Sequence, residues 1–67
     1  MNTPQLFPRG FEYRFRNYRY HVVISFQESE KEEIMYVVKY YGKHHRWWHY
    51  EIMEQSLIED IVSGKYK

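Results

Sequence analysis

"FEYRFRNYRYHVVISF", residues 11–26, contains two runs in which apolar and polar side chains alternate on either side of Asn17. A period of two places successive side chains on opposite faces, which is typical of half-buried strands. The stretch predicts an antiparallel hairpin with a two-residue turn at Asn17-Tyr18, in which Phe15 pairs with Tyr20. A four-residue loop keeps the same parity and is equally acceptable. The side chains predicted to face the core are Phe11, Tyr13, Phe15, Tyr20, Val22, Ile24 and Phe26.

The same alternation predicts two further strands, at residues 34–41 and 46–53. Residues 42–45 would form the loop between them, since Gly42 can adopt a positive φ or a bulge. The residues predicted to face the core are Ile34, Tyr36, Val38, Tyr40, Trp48, Tyr50 and Ile52. The residues predicted to face outwards are Met35, Val37, Lys39, Tyr41, Trp47, His49 and Glu51.

The C-terminal stretch "SLIEDIVSG", residues 56–64, changes to a helical period. Its apolar stripe consists of Leu57, Ile58, Ile61 and Val62. Ser56 is predicted to be the N-cap, with Glu59 completing a capping box and Gly64 ending the helix. A helix of about two turns is not stable alone in water, so its apolar stripe must pack on the sheet.

The order β-β-β-β-α predicts an α+β fold that is mainly β. We expect a four-stranded antiparallel meander with the short C-terminal helix packed on its inner face. The sheet can either curl towards a small SH3-like barrel or stay open. Residues 1–10 contain both prolines and predict an irregular N-terminal arm, and residues 11–67 predict a single small domain. Leu6 and Phe7 are expected to pack against that domain.

Length and composition limit the classes of protein that are compatible with the chain. A chain of 67 residues buries only about 60% of its unfolded surface, and the absence of cysteine excludes disulfides and thiolate metal sites. Aromatic residues make up 21% of the sequence, so large rings are expected to supply much of the core. The sequence shows neither a secretory signal nor an apolar run of about 20 residues, and we expect a cytoplasmic protein without a membrane partner.

Catalytic and metal-binding patterns are weak in this sequence. His44, His45 and His49 lie close together, but no nearby acid or cysteine completes an ordinary zinc site. We therefore predict no metal and no cofactor. The chain is too short to enclose a sizeable pocket, and it lacks a phosphate-binding glycine loop and a nucleophile elbow. We predict that it is not an enzyme and that it has no small-molecule substrate.

The outward face of the predicted sheet is the best candidate for a binding surface. Cations interleaved with flat rings suit single-stranded nucleic acid, because cations offset phosphate charge and rings stack on bases. Glu12 and Glu51, predicted on the same face, weaken this interpretation. Cation–π cover of a thin sheet is the simpler explanation of any single residue. The predicted binding residues are Arg14, Arg16, His21, Lys39, Tyr41, Lys43, Arg46, Trp47 and His49.

Two other classes of function fit the sequence. The first is an inhibitor or adaptor that binds a host protein, as is common among small aromatic-rich domains of phage and mobile elements; this is an analogy of size and composition. Such a protein could use either the basic face or an acidic side formed by residues 28–33, Glu54, Glu59 and Asp60, and the acidic side could imitate nucleic acid. The second is a structural homodimer or assembly subunit. A net charge of +1 separates these classes weakly, although a dedicated duplex binder is usually more basic.

Overall fold

A computed structural model describes residues 5–42, 44 and 46–66 of the chain. It confirms the predicted architecture, with four antiparallel strands in one sheet followed by one helix. The sheet order is β1-β2-β3-β4, so neighbours in sequence are neighbours in the sheet. The elements are β1 (Glu12–Phe15), β2 (Tyr18–Phe26), β3 (Met35–Tyr41), β4 (Trp48–Glu54) and α1 (Gln55–Ser63). Within the described strands β1 and β4 do not pair, so the sheet is open rather than a closed barrel.

The first hairpin turns one residue earlier than the sequence predicts. Arg16 and Asn17 form the turn with φ values of 53° and 69°. Phe15 pairs with Tyr18 and Tyr13 with Tyr20, which shifts the predicted pairing by two residues and keeps the predicted faces. Positive φ at both central residues is typical of the type I′ turn, whose twist matches that of the two strands it joins. Asparagine tolerates a positive φ well.

A β-bulge in β2 changes the face of every residue that follows it. Val22 pairs with Val38, but Ile24 pairs with Val37, so Val23 has no partner of its own in the ladder. Beyond the bulge the side chain of Ile24 points outwards and is 54% exposed. The prediction that Ile24 and Phe26 face the core is therefore wrong, because an extra residue in one strand inverts the alternation.

The side chains of β4 point to the faces opposite to the predicted ones. Trp48 pairs with Tyr41, so its ring lies on the outer face of the sheet, and Met53 pairs with Tyr36 on the inner face. Tyr50 and Ile52, which the sequence predicts in the core, are each 61% exposed. The parity is set where β4 continues directly into α1, because Met53 must point to the side on which the helix packs.

The hydrophobic core lies between the inner face of the sheet, the helix and the N-terminal arm. Tyr36, Val38 and Ile58 are completely buried in it. The hydroxyl of Tyr13 on β1 lies 3.0 Å from the sulfur of Met53 on β4, so the inner face is concave. The other buried apolar residues are Phe7, Tyr20, Val22, Ile34 and Ile61.

The helix begins without the predicted capping box. Its N-cap is Glu54, whose side chain makes no capping hydrogen bond, and Ser56 lies inside the helix. The backbone N–H of Ser56 instead donates to the Glu33 carboxylate, at 2.6 Å, from the loop between β2 and β3. The predicted C-cap is confirmed, since Gly64 has φ 91° and its N–H bonds to the last turn.

The N-terminal arm is fixed to the start of the helix by Gln55. The side-chain oxygen Oε1 of this buried glutamine accepts hydrogen bonds from the backbone N–H of Leu6, at 3.1 Å, and from the Tyr36 hydroxyl. Phe7 is buried as predicted, whereas Leu6 remains about half exposed. The nine-residue helix is much shorter than the roughly 20 residues needed to cross a bilayer, and no other helix is present in the described ranges.

Candidate binding surface on the outer face of the sheet

The outer face is the side of the sheet opposite to the helix, and Arg9 and Gly10 of the arm lie at its edge, beside His21 and Lys39. Three regions follow one another along its strands. We call the first the basic end; it comprises Arg14, Arg19, His21, Lys39, Tyr41, Arg46 and Trp48. The second is the apolar strip, formed by Ile24, Phe26, Met35, Val37, Tyr50 and Ile52. The third is the acidic rim, formed by Glu28, Glu32, Glu33 and Glu54.

A shallow concavity of about 540 Å³ forms the outer part of the basic end. Arg14, Arg19 and Arg46 line it together with Tyr41, and none of the described residues in its lining carries a carboxylate. Arg14 and Arg19 are direct cross-strand neighbours. Like charges in that position destabilise a sheet, typically by a fraction of a kcal/mol. Neither arginine has a carboxylate partner within the described part of the chain, so this charge is available to an external anion.

Trp48 is the aromatic centre of the basic end. The Lys39 ammonium lies 4.6 Å from its ring centroid, in cation–π geometry. The rings of His21 and Tyr41 meet it edge-on, with centroids 5.6 Å and 5.5 Å away. These contacts come from β2 and β3 and fix the orientation of a side chain that is still 42% exposed. The ring is therefore held in place at the surface, where a flat partner can reach it.

Hydrogen bonds across the loop between β3 and β4 hold Tyr41 and Arg46 together. The Tyr41 hydroxyl donates to the Arg46 backbone oxygen at 2.7 Å, and the Gly42 N–H donates to the Trp47 oxygen at 3.1 Å. The Tyr41 side chain remains about half exposed. The ring and the start of the arginine side chain are thus positioned in the free protein, which lowers the entropy cost of binding.

The two acids predicted to weaken the basic face have different positions. Glu12 does lie on the outer face, where its carboxylate is 3.4 Å from Nδ1 of His21. Glu51 pairs with Val38 on the inner side and accepts a hydrogen bond from the Tyr40 hydroxyl at 3.2 Å. Of these two acids, Glu12 is the neighbour of the basic end, and its carboxylate lies beside His21 rather than beside the arginines.

The structure does not bring all the predicted binding residues together. Arg16 lies in the first turn with its guanidinium 4.9 Å from the Phe15 ring centroid, and not on the outer face. The His49 ring stacks on the Tyr40 ring on the inner side, with the two centroids 5.2 Å apart, so the predicted outward position of His49 is wrong. The predicted residue Lys43 lies outside the described residues. Arg14, His21, Lys39, Tyr41 and Arg46 do lie at the basic end.

Neither Trp47 nor Trp48 lies where the sequence predicts it. Trp47, predicted at the site, is 58% exposed, but its ring contacts His49 on the other side of the strand, at 5.8 Å. Trp48, predicted in the core, belongs to the site. Arg19 was also missed, and its place opposite Arg14 could have been found only from the correct turn.

The rings on the inner side form a separate cluster that is kept neutral. The rings of Tyr13 and Tyr20 stack with their centroids 5.3 Å apart, and the centroids of the Tyr20 and Tyr40 rings are 4.7 Å apart. Burial, with a contribution from the Glu51 carboxylate, raises the pKa of Tyr20 to about 12. The hydroxyl groups of these tyrosines are protonated at neutral pH, and their rings pack in or against the core.

No group of metal-binding side chains is found among the described residues. Within residues 5–42, 44 and 46–66, no three histidine, aspartate or glutamate side chains are grouped to hold a metal ion. His44 is exposed, and His45 lies outside the described residues. The arrangement can offer cations and ring faces to a ligand.

Comparison of the chain with protein-family models, with curated proteins and with solved structures finds no match. The functional proposal therefore rests on the geometry of the outer face.

Proposed function

We propose that this protein is a non-enzymatic binding module that contacts single-stranded nucleic acid through the basic end of its outer sheet face. The observation that carries the proposal is the concavity lined by Arg14, Arg19 and Arg46 without a carboxylate. Three guanidinium groups around one depression suit the closely spaced charges of a phosphate backbone, because each can donate two parallel hydrogen bonds.

The rings beside the concavity supply the second element of the proposal. Base stacking on an exposed ring contributes about 1–3 kcal/mol and does not require a particular base. Tyr41 lines the concavity and Trp48 adjoins Tyr41, so phosphates and bases of one strand have separate contacts within the basic end. An unpaired strand exposes its bases to such rings, which a duplex does not. A total charge of +1 likewise fits a local contact better than a long duplex footprint.

The direct test is fluorescence anisotropy of a labelled oligonucleotide of about 12 nucleotides at low and moderate salt. We expect binding that weakens with salt with a log–log slope of about −2, as three phosphate contacts would give. The variant Arg14→Gln/Arg19→Gln should reduce affinity at low salt by about tenfold or more. The matched control Lys31→Gln/Lys65→Gln removes the same net charge away from the site and should change affinity much less.

The rings are tested by comparing the adjacent tryptophans. Trp48→Leu should weaken binding by about tenfold, whereas Trp47→Leu should leave it within about twofold, because only Trp48 lies among the basic-end side chains. Absence of binding at low salt, or equal losses in the two charge variants, would show that the basic end is not a nucleic-acid site.

The apolar strip favours a second candidate, the binding of a host protein. Ile24, Tyr50 and Ile52 are each more than half exposed, and contiguous apolar surface of this kind often marks protein interfaces. A partner held in this way should be lost from Ile24→Thr/Ile52→Thr and retained by Arg14→Gln/Arg19→Gln in affinity capture. The reverse pattern, or capture of no partner above background, would favour nucleic acid.

A further inference from the structure

Charge is segregated along the strands of the outer face. The basic end lies where β2 begins and β3 ends, and the acidic rim lies where β2 ends and β3 begins. The apolar strip separates them. The acidic rim surrounds its own depression of about 480 Å³, and no cation is among the described residues that line it. The face thus has opposite charges at its two ends and an apolar centre.

We propose that a second copy of this chain packs on the outer face with its strands reversed, so that the basic end of each copy meets the acidic rim of the other. A two-fold axis parallel to the sheet and perpendicular to the strands produces this arrangement. An axis along the strands would place arginine on arginine and carboxylate on carboxylate. Charge complementarity therefore selects one of the two face-to-face dimers, and both of its charged contacts are identical by symmetry.

The centre of this dimer is apolar and polar groups surround it, as in most stable interfaces. Ile24 on β2, Val37 on β3 and Ile52 on β4 lie across the sheet in register, since Val37 pairs with both isoleucines. Exposed rings and aliphatic side chains from two such faces can interdigitate at the usual sheet spacing of about 10 Å.

The size of the face limits the area that the dimer can bury. Four strands at about 4.8 Å spacing and seven residues at about 3.3 Å per residue give a projected area of about 440 Å². Side-chain relief increases the accessible area, yet a standard interface needs about 800 Å² from each partner. The apolar strip alone is too small, so the charged ends must take part, and we expect a dissociation constant in the micromolar range.

Two carboxylates of the acidic rim are suited to this contact and a third is not. Glu28 and Glu32 are exposed, and the loop that carries them is held by hydrogen bonds from Gln27 to the Glu32 oxygen and from the Glu32 N–H to the Ser29 oxygen. Glu33 is already engaged by the Ser56 N–H. The ordered loop presents the first two carboxylates in the position that phosphates would occupy on the partner's arginines.

Self-association and nucleic-acid binding therefore exclude each other. This consequence rests on the proposed function, whereas the dimer itself does not. The carboxylates of the second copy occupy the basic end until an oligonucleotide displaces them. At high protein concentration, the apparent affinity for nucleic acid should fall.

The test is sedimentation equilibrium of the full chain from about 1 µM to about 1 mM, a range that brackets a micromolar constant. We expect a monomer–dimer equilibrium that weakens when salt is raised. Ile24→Thr/Ile52→Thr keeps β-branched side chains and removes apolar surface at four places in the dimer, and should weaken it by about 30-fold or more. Val62→Thr, on the exposed side of the helix, is the matched control and should leave the equilibrium unchanged.

The orientation is tested by charge exchange within one chain. Arg14→Glu/Arg19→Glu should abolish the dimer, because carboxylates would then face each other at both contacts. Adding Glu28→Arg/Glu32→Arg to the same chain should restore it, which happens only when opposite ends meet. Circular dichroism of each variant checks that the fold is retained.

A monomer at every concentration would overturn the proposal, as would a dimer that salt strengthens or one that the four-residue exchange does not restore. A monomer that still binds oligonucleotide would remove the dimer and keep the proposed function. A dimer that binds no oligonucleotide would support the dimer and contradict the proposed function.

Discussion

The inner and outer faces of this sheet are built from the same strands and differ in what covers them. On β3, Tyr36 and Val38 point inwards and are completely buried, while their neighbour Val37 points outwards between two half-exposed isoleucines. The helix and Phe7 of the N-terminal arm pack on the inner side. Apolar character therefore does not identify the core of this protein, because both faces carry it and only one has a cover.

The largest expected difference between the faces is in the response to truncation. Ile58→Ala removes a fully buried side chain and should lower the free energy of unfolding by about 3 kcal/mol. Ile52→Ala removes a side chain of the same type from the outer face and should cost less than about 0.5 kcal/mol. Urea unfolding followed by tryptophan fluorescence measures both. Equal losses in dilute protein would mean that the outer face is also covered.

The tyrosines of the two faces provide the second comparison. The Tyr36 hydroxyl donates to Gln55 and lies 3.4 Å from the Phe7 N–H, which can donate to it. Tyr36→Phe leaves buried partners unsatisfied and should cost about 1–3 kcal/mol. Tyr50→Phe on the outer face removes an exposed hydroxyl and should be nearly neutral. Thermal melts of the two variants give the result, and similar melting temperatures would rule out the anchoring role of the hydroxyl.

The sequence predicts the order of elements well because local patterns determine it. The alternation in β1 and β3, the helical stripe and the C-cap at Gly64 each depend on a few neighbouring residues. The bulge at Val23 inverts the rest of β2, yet "VVIS" contains no glycine or charge to mark it. A break in alternation that no local residue requires is a tertiary feature, and sequence periodicity does not detect it.

The candidate site was predictable to the same extent. Arg14, Lys39 and Tyr41 belong to strands whose parity the pattern determines, and they lie on the expected face. In β4 both parities carry rings, so the pattern cannot choose between Trp47 and Trp48. The parity of β4 is determined by its direct continuation into the helix. The sequence does not indicate this continuation, because a cap at Ser56 predicts a short connection between the strand and the helix.

The smallest expected effect concerns Glu33, the rim carboxylate that accepts a hydrogen bond from the backbone N–H of Ser56 at the start of the helix. Hydrogen bonds from the Ser56 side chain and then from its backbone N–H lower the pKa of Glu33 below its ordinary value of 4.5. A lowered pKa means that the ionised carboxylate stabilises the fold above pH 4.5, and that this stabilisation is lost as the pH falls through the lowered value. Glu33→Gln should therefore lower the melting temperature slightly at pH 7 and cease to differ from the unsubstituted protein in strong acid.

The control is Glu32→Gln, because the Glu32 side chain lies on the same rim without a helix contact. This variant should show no such pH-dependent difference in melting temperature in dilute protein. If both variants behave alike, Glu33 is one more outer-face charge, and the helix begins without help from the rim.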